Sequence, residues 1–178
     1  RRVSVIGYAA ATPLGAAFAA SFDRAAAGEA GFHRITRCKV DCASDVVGEI
    51  PDWNPEELDF ASPKDVHQWN AGFVLLTVAV CRDALRDAGL ELTAETAPRT
   101  ACLIGSALNG HDAYRTAVAA LAAHGPNRVS PFLLPNLCGN VPAGKAGMLL
   151  GFTGPVFSPQ GACASGNHAI GLGARMIR

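Results

Sequence analysis

GPVFSPQGACASGNHAIG, residues 154–171, carries an apolar run into a glycine-flanked turn and a small-residue run out of it, with Cys163 at the junction. GPVFS reads as a short strand ending near Ser158, and ACASGNHAIGLGARMIR as a helix beginning near Cys163. A thiol at such a helix start meets unpaired amides and the positive end of the helix dipole. Both favour the thiolate relative to a free cysteine of pKa ~8.5. The same amides are suited to hold the oxyanion of an attacked ester or thioester. Gly161 and Gly166 suit a tight turn with close backbone approach. The logic is that of a nucleophile elbow, although the hydrolase pattern G-x-S-x-G is absent. Spacing alone leaves two readings open: an activated nucleophile, or a small buried thiol acting as a hydrophobe, with the second slightly favoured.

His168 follows Cys163 by five positions, which on a helix turns the two side chains about 140° apart. It reads as a supporting or core histidine rather than the base for Cys163. His33, His67, His111 and His124 fall in no triad context.

Outward from this junction, elements alternate. RVSVIG, residues 2–7, predicts a buried first strand, and the Ala-rich stretch 14–28 a helix stopped by Gly28. Residues 31–62 carry turns and short strands, with a helix start expected in DWNPEEL. The strongest helical pattern covers 70–90, with Phe73, Leu76, Val80, Ala84 and Ala88 at helical spacing and Gly89 as its cap. RTACLIGS, 99–106, predicts a strand, and DAYRTAVAALAAHG a helix closed by Gly125. SPFLLPN reads as a rigid apolar turn, and VPAGKAGMLLG as a helix that tolerates Pro142 in its first turn. Strands alternating with helices predict an α/β layered fold with a largely covered sheet. The last helix reaches Arg178 with no cap and no following strand, which points to an incomplete chain.

Composition narrows the classes. Hydrophobic residues make up 49% of the 178 residues and charged residues 17%, the balance of a globular chain with substantial burial. Lys plus Arg equals Asp plus Glu at 15 each, so no broad field attracts nucleic acid or an anionic membrane. No apolar run approaches the ~20 residues of a membrane span. The six cysteines are spread along the chain, several within apolar runs, as expected in a reducing, cytoplasmic compartment. His33, Cys38 and Cys42 lack the spacing of a metal site and a fourth ligand. GNVPAGKA, 139–146, nearly matches a phosphate-binding loop, but Ala146 stands where Ser or Thr is needed and prolines precede it. Lys145 is accordingly expected on a helix surface.

As an ordered set, the motifs resemble the β-ketoacyl-[acyl-carrier-protein] synthases, most closely the elongating KAS II type. RRVSVIGYAAATPLG, ALRDAGL, IGSALNG, SPFLLPN, AGKAGMLLGFTGP and ACASGNHAIG occur in the family's order and spacing, over essentially the whole chain. The resemblance implies a thiolase-like fold of which residues 1–178 form most of the N-terminal half, with the C-terminal half absent. It implies an acyltransferase performing decarboxylative Claisen condensation of carrier-protein thioesters in fatty acid or polyketide synthesis. Cys163 becomes the acyl-accepting nucleophile, with its own amide as part of the oxyanion hole, and Leu108, Leu133 and Leu134 become acyl-pocket or rim residues. No metal or bound cofactor is implied, substrates arriving on the phosphopantetheine arm of an acyl carrier protein. The other implied partner is a second synthase subunit, identical or related, met near GPVFS.

The departures are specific. The family's catalytic histidines and lysine belong to segments outside these residues. Gly161-Ala162-Cys163 replaces the usual Thr-Ala-Cys, Pro159 lies in the approaching strand, and Asn109-Gly110 replaces a glycine pair. A catalytically silent half-domain or interaction subunit that needs a complementary chain is the alternative function, and retention of Cys163 argues against it.

Overall fold

The computed structural model describes residues 2–51, 53–69 and 72–178. They divide into two compact units, Tyr8–Asn54 and the described parts of Arg1–Gly7 with Pro55–Arg178. Asp52, which opens the predicted helix start at DWNPEEL, and Asn70 and Ala71, the first residues of the helix predicted over 70–90, lie outside the described residues.

In the smaller unit Pro13 and Leu14 occupy a tight turn closed by paired backbone bonds between Thr12 and Gly15, at 2.8 and 3.0 Å. The Ala-rich stretch then forms α1 (Phe18–Ala26), and Gly28 ends it with φ +78°, as predicted. The Glu29 amide bonds back to the Arg24 carbonyl at 3.0 Å, satisfying an otherwise orphaned helix-end acceptor. Two short strands, β1 (His33–Arg34) and β2 (Val46–Val47), pair antiparallel.

The larger unit holds the core. After a short 3-10 turn at Pro55–Glu57 comes α2 (Pro63–Gln68). Its Ser62 and Asp65 form a capping box in which each side chain accepts from the other's backbone amide. Helix α3 (Gly72–Asp87) buries Val74, Leu75, Val78 and Ala79. That stripe lies beside the predicted Phe73-Leu76-Val80 stripe, because α3 is apolar around most of its middle and its periodicity fits either phase. Gly89 caps it with φ +61°.

Strand β3 (Cys102–Leu103) is followed by α4 (His111–His124), closed by Gly125 at φ +79°. SPFLLPN turns at Pro131-Phe132, where the Leu133 amide bonds to the Ser130 carbonyl at 3.1 Å, but the turn does not extend through the segment. The segment enters α5 (Leu133–Leu137), where Pro135 is tolerated because first-turn amides need no helical acceptor. Helix α6 (Val141–Leu150) packs on α3 through the fully buried Ala143 and Ala146. Strand β4 (Val156–Phe157) pairs parallel with β3, Cys102 opposite Val156, and α7 (Ser165–Ile177) completes the described chain. Val78, Cys102 and Ala146 form the centre of the core, with Phe60, Cys81, Ile104 and Val156 around them.

The expected first strand does not form. Val5 and Ile6 of RVSVIG are 85% and 69% exposed, and the segment has no ladder partner among the described residues. Its β-branched residues fit a strand, but strand structure requires a neighbouring edge to bond.

Candidate active site

Three segments converge around the turn that carries Cys163. The first is the loop leaving β3, where a Cβ on Gly105 would lie 2.3 Å from the Ser165 carbonyl oxygen. Glycine at 105 is therefore what lets the start of α7 sit against that loop. The second is the connection from α5 to α6, where a Cβ on Gly139 would collide with the Gln160 side chain at 2.0 Å and the Asn109 side chain at 2.9 Å. The third is the strand-to-helix connection itself.

That connection is the predicted junction with one refinement. Residues Ala162–Ala164 form a single 3-10 turn, and α7 proper begins at Ser165. Ala162 has φ +48°, the only non-glycine residue with positive φ among the described residues. A left-handed alanine costs on the order of 1–2 kcal/mol and persists only where its surroundings enforce it. The first bonded amide of the turn is Ala164, which donates to the Gly161 carbonyl at 2.9 Å. The Cys163 amide precedes it and so has no partner within the turn.

The enforcing contacts come from Ser165, which is 3% exposed. Its Oγ accepts from the Gly161 amide at 2.9 Å. The single hydroxyl hydrogen faces the Ala162 carbonyl at 2.7 Å and the Ser106 carbonyl at 3.2 Å. Sequence reading missed this residue; the signal available was a serine two positions beyond the cysteine, at the expected helix start.

The chain's thiols sort by environment. Cys102 is buried and Cys81 half-buried against it; contact with the Cys102 thiol and burial push the Cys81 thiol well up, so it stays protonated. Cys163 is exposed, which overturns the buried-thiol reading for this cysteine. His168 is exposed rather than core, and its ring lies over the turn, where a Cβ on Gly161 would be, with Cε1 and Nδ1 at 2.4 Å. Glycine at 161, one of the departures noted above, thus matches a histidine lying over the backbone there. Gly166 meets no such neighbour.

Leu108 lies in the loop that bonds Ser165 and is 80% exposed. Leu133 is half-buried and lines a cavity with Ala113, Ala117, Arg128, Phe132 and Asn136. Its neighbour Leu134 is 70% exposed. A separate open groove runs beside the turn, lined by Pro159, Gln160, His168, Leu172 and Arg175.

Lys145 is not on the surface. It is 7% exposed, ion-paired to Asp65, with its ammonium 5.1 Å from the centre of the Trp69 ring. Together with the Gln160 side chain against Gly139 and the placement of Gly144 within α6, this arrangement leaves the near-match to a phosphate loop without a free lysine or a glycine loop. Asp65 and Trp69 are one helical turn apart and present the anion and the aromatic face together, which the local sequence around Lys145 gives no sign of.

The sequence model of the family described as "Beta-ketoacyl synthase, N-terminal domain" matches residues 1–178. The chain belongs to the β-ketoacyl synthases. This synthase domain is 33% identical over 178 residues to the 3-oxoacyl-[acyl-carrier-protein] synthase 2 of Vibrio harveyi, covering 99% of this chain and 42% of the relative. It is 30% identical over 179 residues to the protein of the same name from Staphylococcus aureus strain COL, covering 100% and 42%. The synthase domain thus spans about two-fifths of the length of these curated relatives. Among solved structures, a β-ketoacyl synthase from Burkholderia phymatum STM815 superimposes with TM-score 0.75 at 18% identity, over 99% of this chain and 43% of that one. One chain of the structure described as a type II PKS acyl-carrier protein in complex with its ketosynthase bound to the hexaketide superimposes with TM-score 0.78 at 18% identity, over 97% of this chain and 46% of that one. The thiolase-like α/β fold expected from the sequence is therefore the fold of the synthase domain.

Proposed function

We propose that Cys163 is the acyl-accepting nucleophile of a carrier-protein-dependent condensing enzyme. One observation carries the reading: an exposed thiol on a strained turn, beside an amide with no partner in that turn, in a chain of the β-ketoacyl synthase family. In the first half-reaction the Cys163 sulfur attacks the thioester carbonyl of an acyl chain. Charge develops on the carbonyl oxygen, and the Cys163 amide is placed to donate to it. Collapse breaks the bond to the phosphopantetheine sulfur, leaves the acyl group on Cys163, and returns the thiol proton to the departing carrier thiol.

In the second half-reaction a malonyl-carrier thioester loses carbon dioxide. The resulting carbanion attacks the acyl carbonyl and expels the Cys163 thiolate. Proton handling and charge stabilisation for that step belong to groups outside these residues. Leu108, Leu133 and Leu134 serve the acyl chain as pocket or rim residues. The 3-oxoacyl synthase names of the relatives and the carrier complex among the structural neighbours support an acyl carrier protein as partner. A second synthase subunit, identical or related, is the other partner. No cofactor is needed beyond the carrier's own prosthetic arm. Six free thiols suit a reducing cytoplasmic setting, and no helix among the described residues is long and apolar enough to cross a membrane.

The test is covalent capture. Full-length protein incubated with an acyl-carrier thioester is expected to gain the acyl mass on the Cys163 peptide, and Cys163→Ala to lose it. An adduct that survives the substitution, or no adduct on the wild type, overturns the reading.

A further inference from the structure

We infer that Ser165 is a positioning residue for acyl transfer, its hydroxyl holding the turn that presents the Cys163 sulfur and amide together. The inference rests on Cys163 being the acyl acceptor. The serine is nearly fully buried, and its hydroxyl meets three backbone groups. It takes the Gly161 amide on one side of the strained Ala162 and faces the Ala162 carbonyl on the other. It thereby brackets the one left-handed alanine of the turn. Its third contact, to the Ser106 carbonyl, ties that bracket to the loop leaving β3 and carrying Leu108.

The geometry gives Ser165 a role that a merely well-packed residue would not have. Without the hydroxyl, the Gly161 amide loses its acceptor, and Ala162 is free to relax toward an ordinary backbone conformation. That relaxation rotates the following peptide, whose N–H is the Cys163 amide. The sulfur stays accessible, but its alignment with the amide donor is lost. Attack on a thioester needs both groups in register, whereas alkylation by iodoacetamide needs only the sulfur. The two reactions therefore separate positioning from general stability.

The experiment compares both rates at Cys163 in wild-type, Ser165→Ala and Ser165→Thr full-length protein, each followed by mass spectrometry of the Cys163 peptide. Ser165→Ala is expected to slow acylation by a short acyl-carrier thioester roughly 10- to 100-fold, the scale of a small misplacement of reacting groups. Alkylation should change by less than about threefold, while Ser165→Thr, which keeps a hydroxyl, acylates faster than the alanine variant. If Ser165→Ala does not fold, Ser165→Cys, close in shape but a weaker hydrogen-bonding group, is read in the same two assays against the same expectation. Acylation at the wild-type rate without the hydroxyl overturns the inference while leaving Cys163 as nucleophile. So does a parallel fall of both rates. A wild type that alkylates at Cys163 but never acylates overturns the nucleophile reading, and this inference with it.

Discussion

At the scale of single residues, Lys145 and Asp65 show how a buried charge is made tolerable. The lysine joins α6 to α2 by one ion pair, under the face of Trp69. Bonds from Lys145 and then Ser62 hold the Asp65 carboxyl down at about 2, against 3.8 ordinarily. A carboxylate depressed in the folded state contributes stability above its unfolded pKa and loses that contribution as pH falls through the folded value. The window here runs from about pH 4 down to about pH 2, and the shift corresponds to about 2 kcal/mol. Wild-type protein is expected to lose that much more stability than Asp65→Asn between those pH values, measured by denaturant midpoints. Equal losses would count against the ion pair as a stabilising contact.

At the scale of elements, glycines at helix ends separate conformational strain from crowding. Gly110 begins α4 and Gly125 ends it, both with positive φ. A Cβ at Gly125 meets nothing within 4 Å, whereas at Gly110 it would lie 2.1 Å from the Asn136 carbonyl oxygen, backbone that cannot swing aside. Gly125→Ala should cost about 1–3 kcal/mol, the backbone strain alone of an alanine at φ +79° and ψ 178°. Gly110→Ala should cost more, about 1–2 kcal/mol for a left-handed alanine plus an overpacking penalty of about 1–3 kcal/mol. Thermal midpoints in the reverse order would refute this division.

The same elements show what the sequence could and could not reveal. Helices α1, α3, α4 and α6 were legible because caps and local periodicity are near in sequence. The β3–β4 strands and the glycine-flanked turn at Cys163 were legible for the same reason. Lys145's burial and the hold of Ser165 on Ser106 were not, since each depends on a partner about sixty or more residues away. RVSVIG was misread because its composition states a preference for strand but says nothing of whether an edge is available.

At the scale of the whole molecule, much apolar surface is left uncovered. Val5, Met148, Ile170 and Ile177 are between 67% and 85% exposed, in different parts of the larger unit. Single exposed apolar residues are ordinary, but large ones so numerous favour association. The 178-residue chain by itself is expected to self-associate, with its sedimentation coefficient rising across the micromolar range. A concentration-independent monomer would show that these side chains are tolerated in water.

The parallel pairing of β3 with β4 carries a consequence in time. Gly105 and Ser106 leave the ribosome well before Ser165, which they must meet to shape the turn. At roughly 5–20 residues per second, that interval is about 3–12 s. For those seconds Cys163 either has not been made or lies on unformed backbone, an ordinary thiol without its frame. The frame around Cys163 therefore closes only after β4 has been made and has found β3.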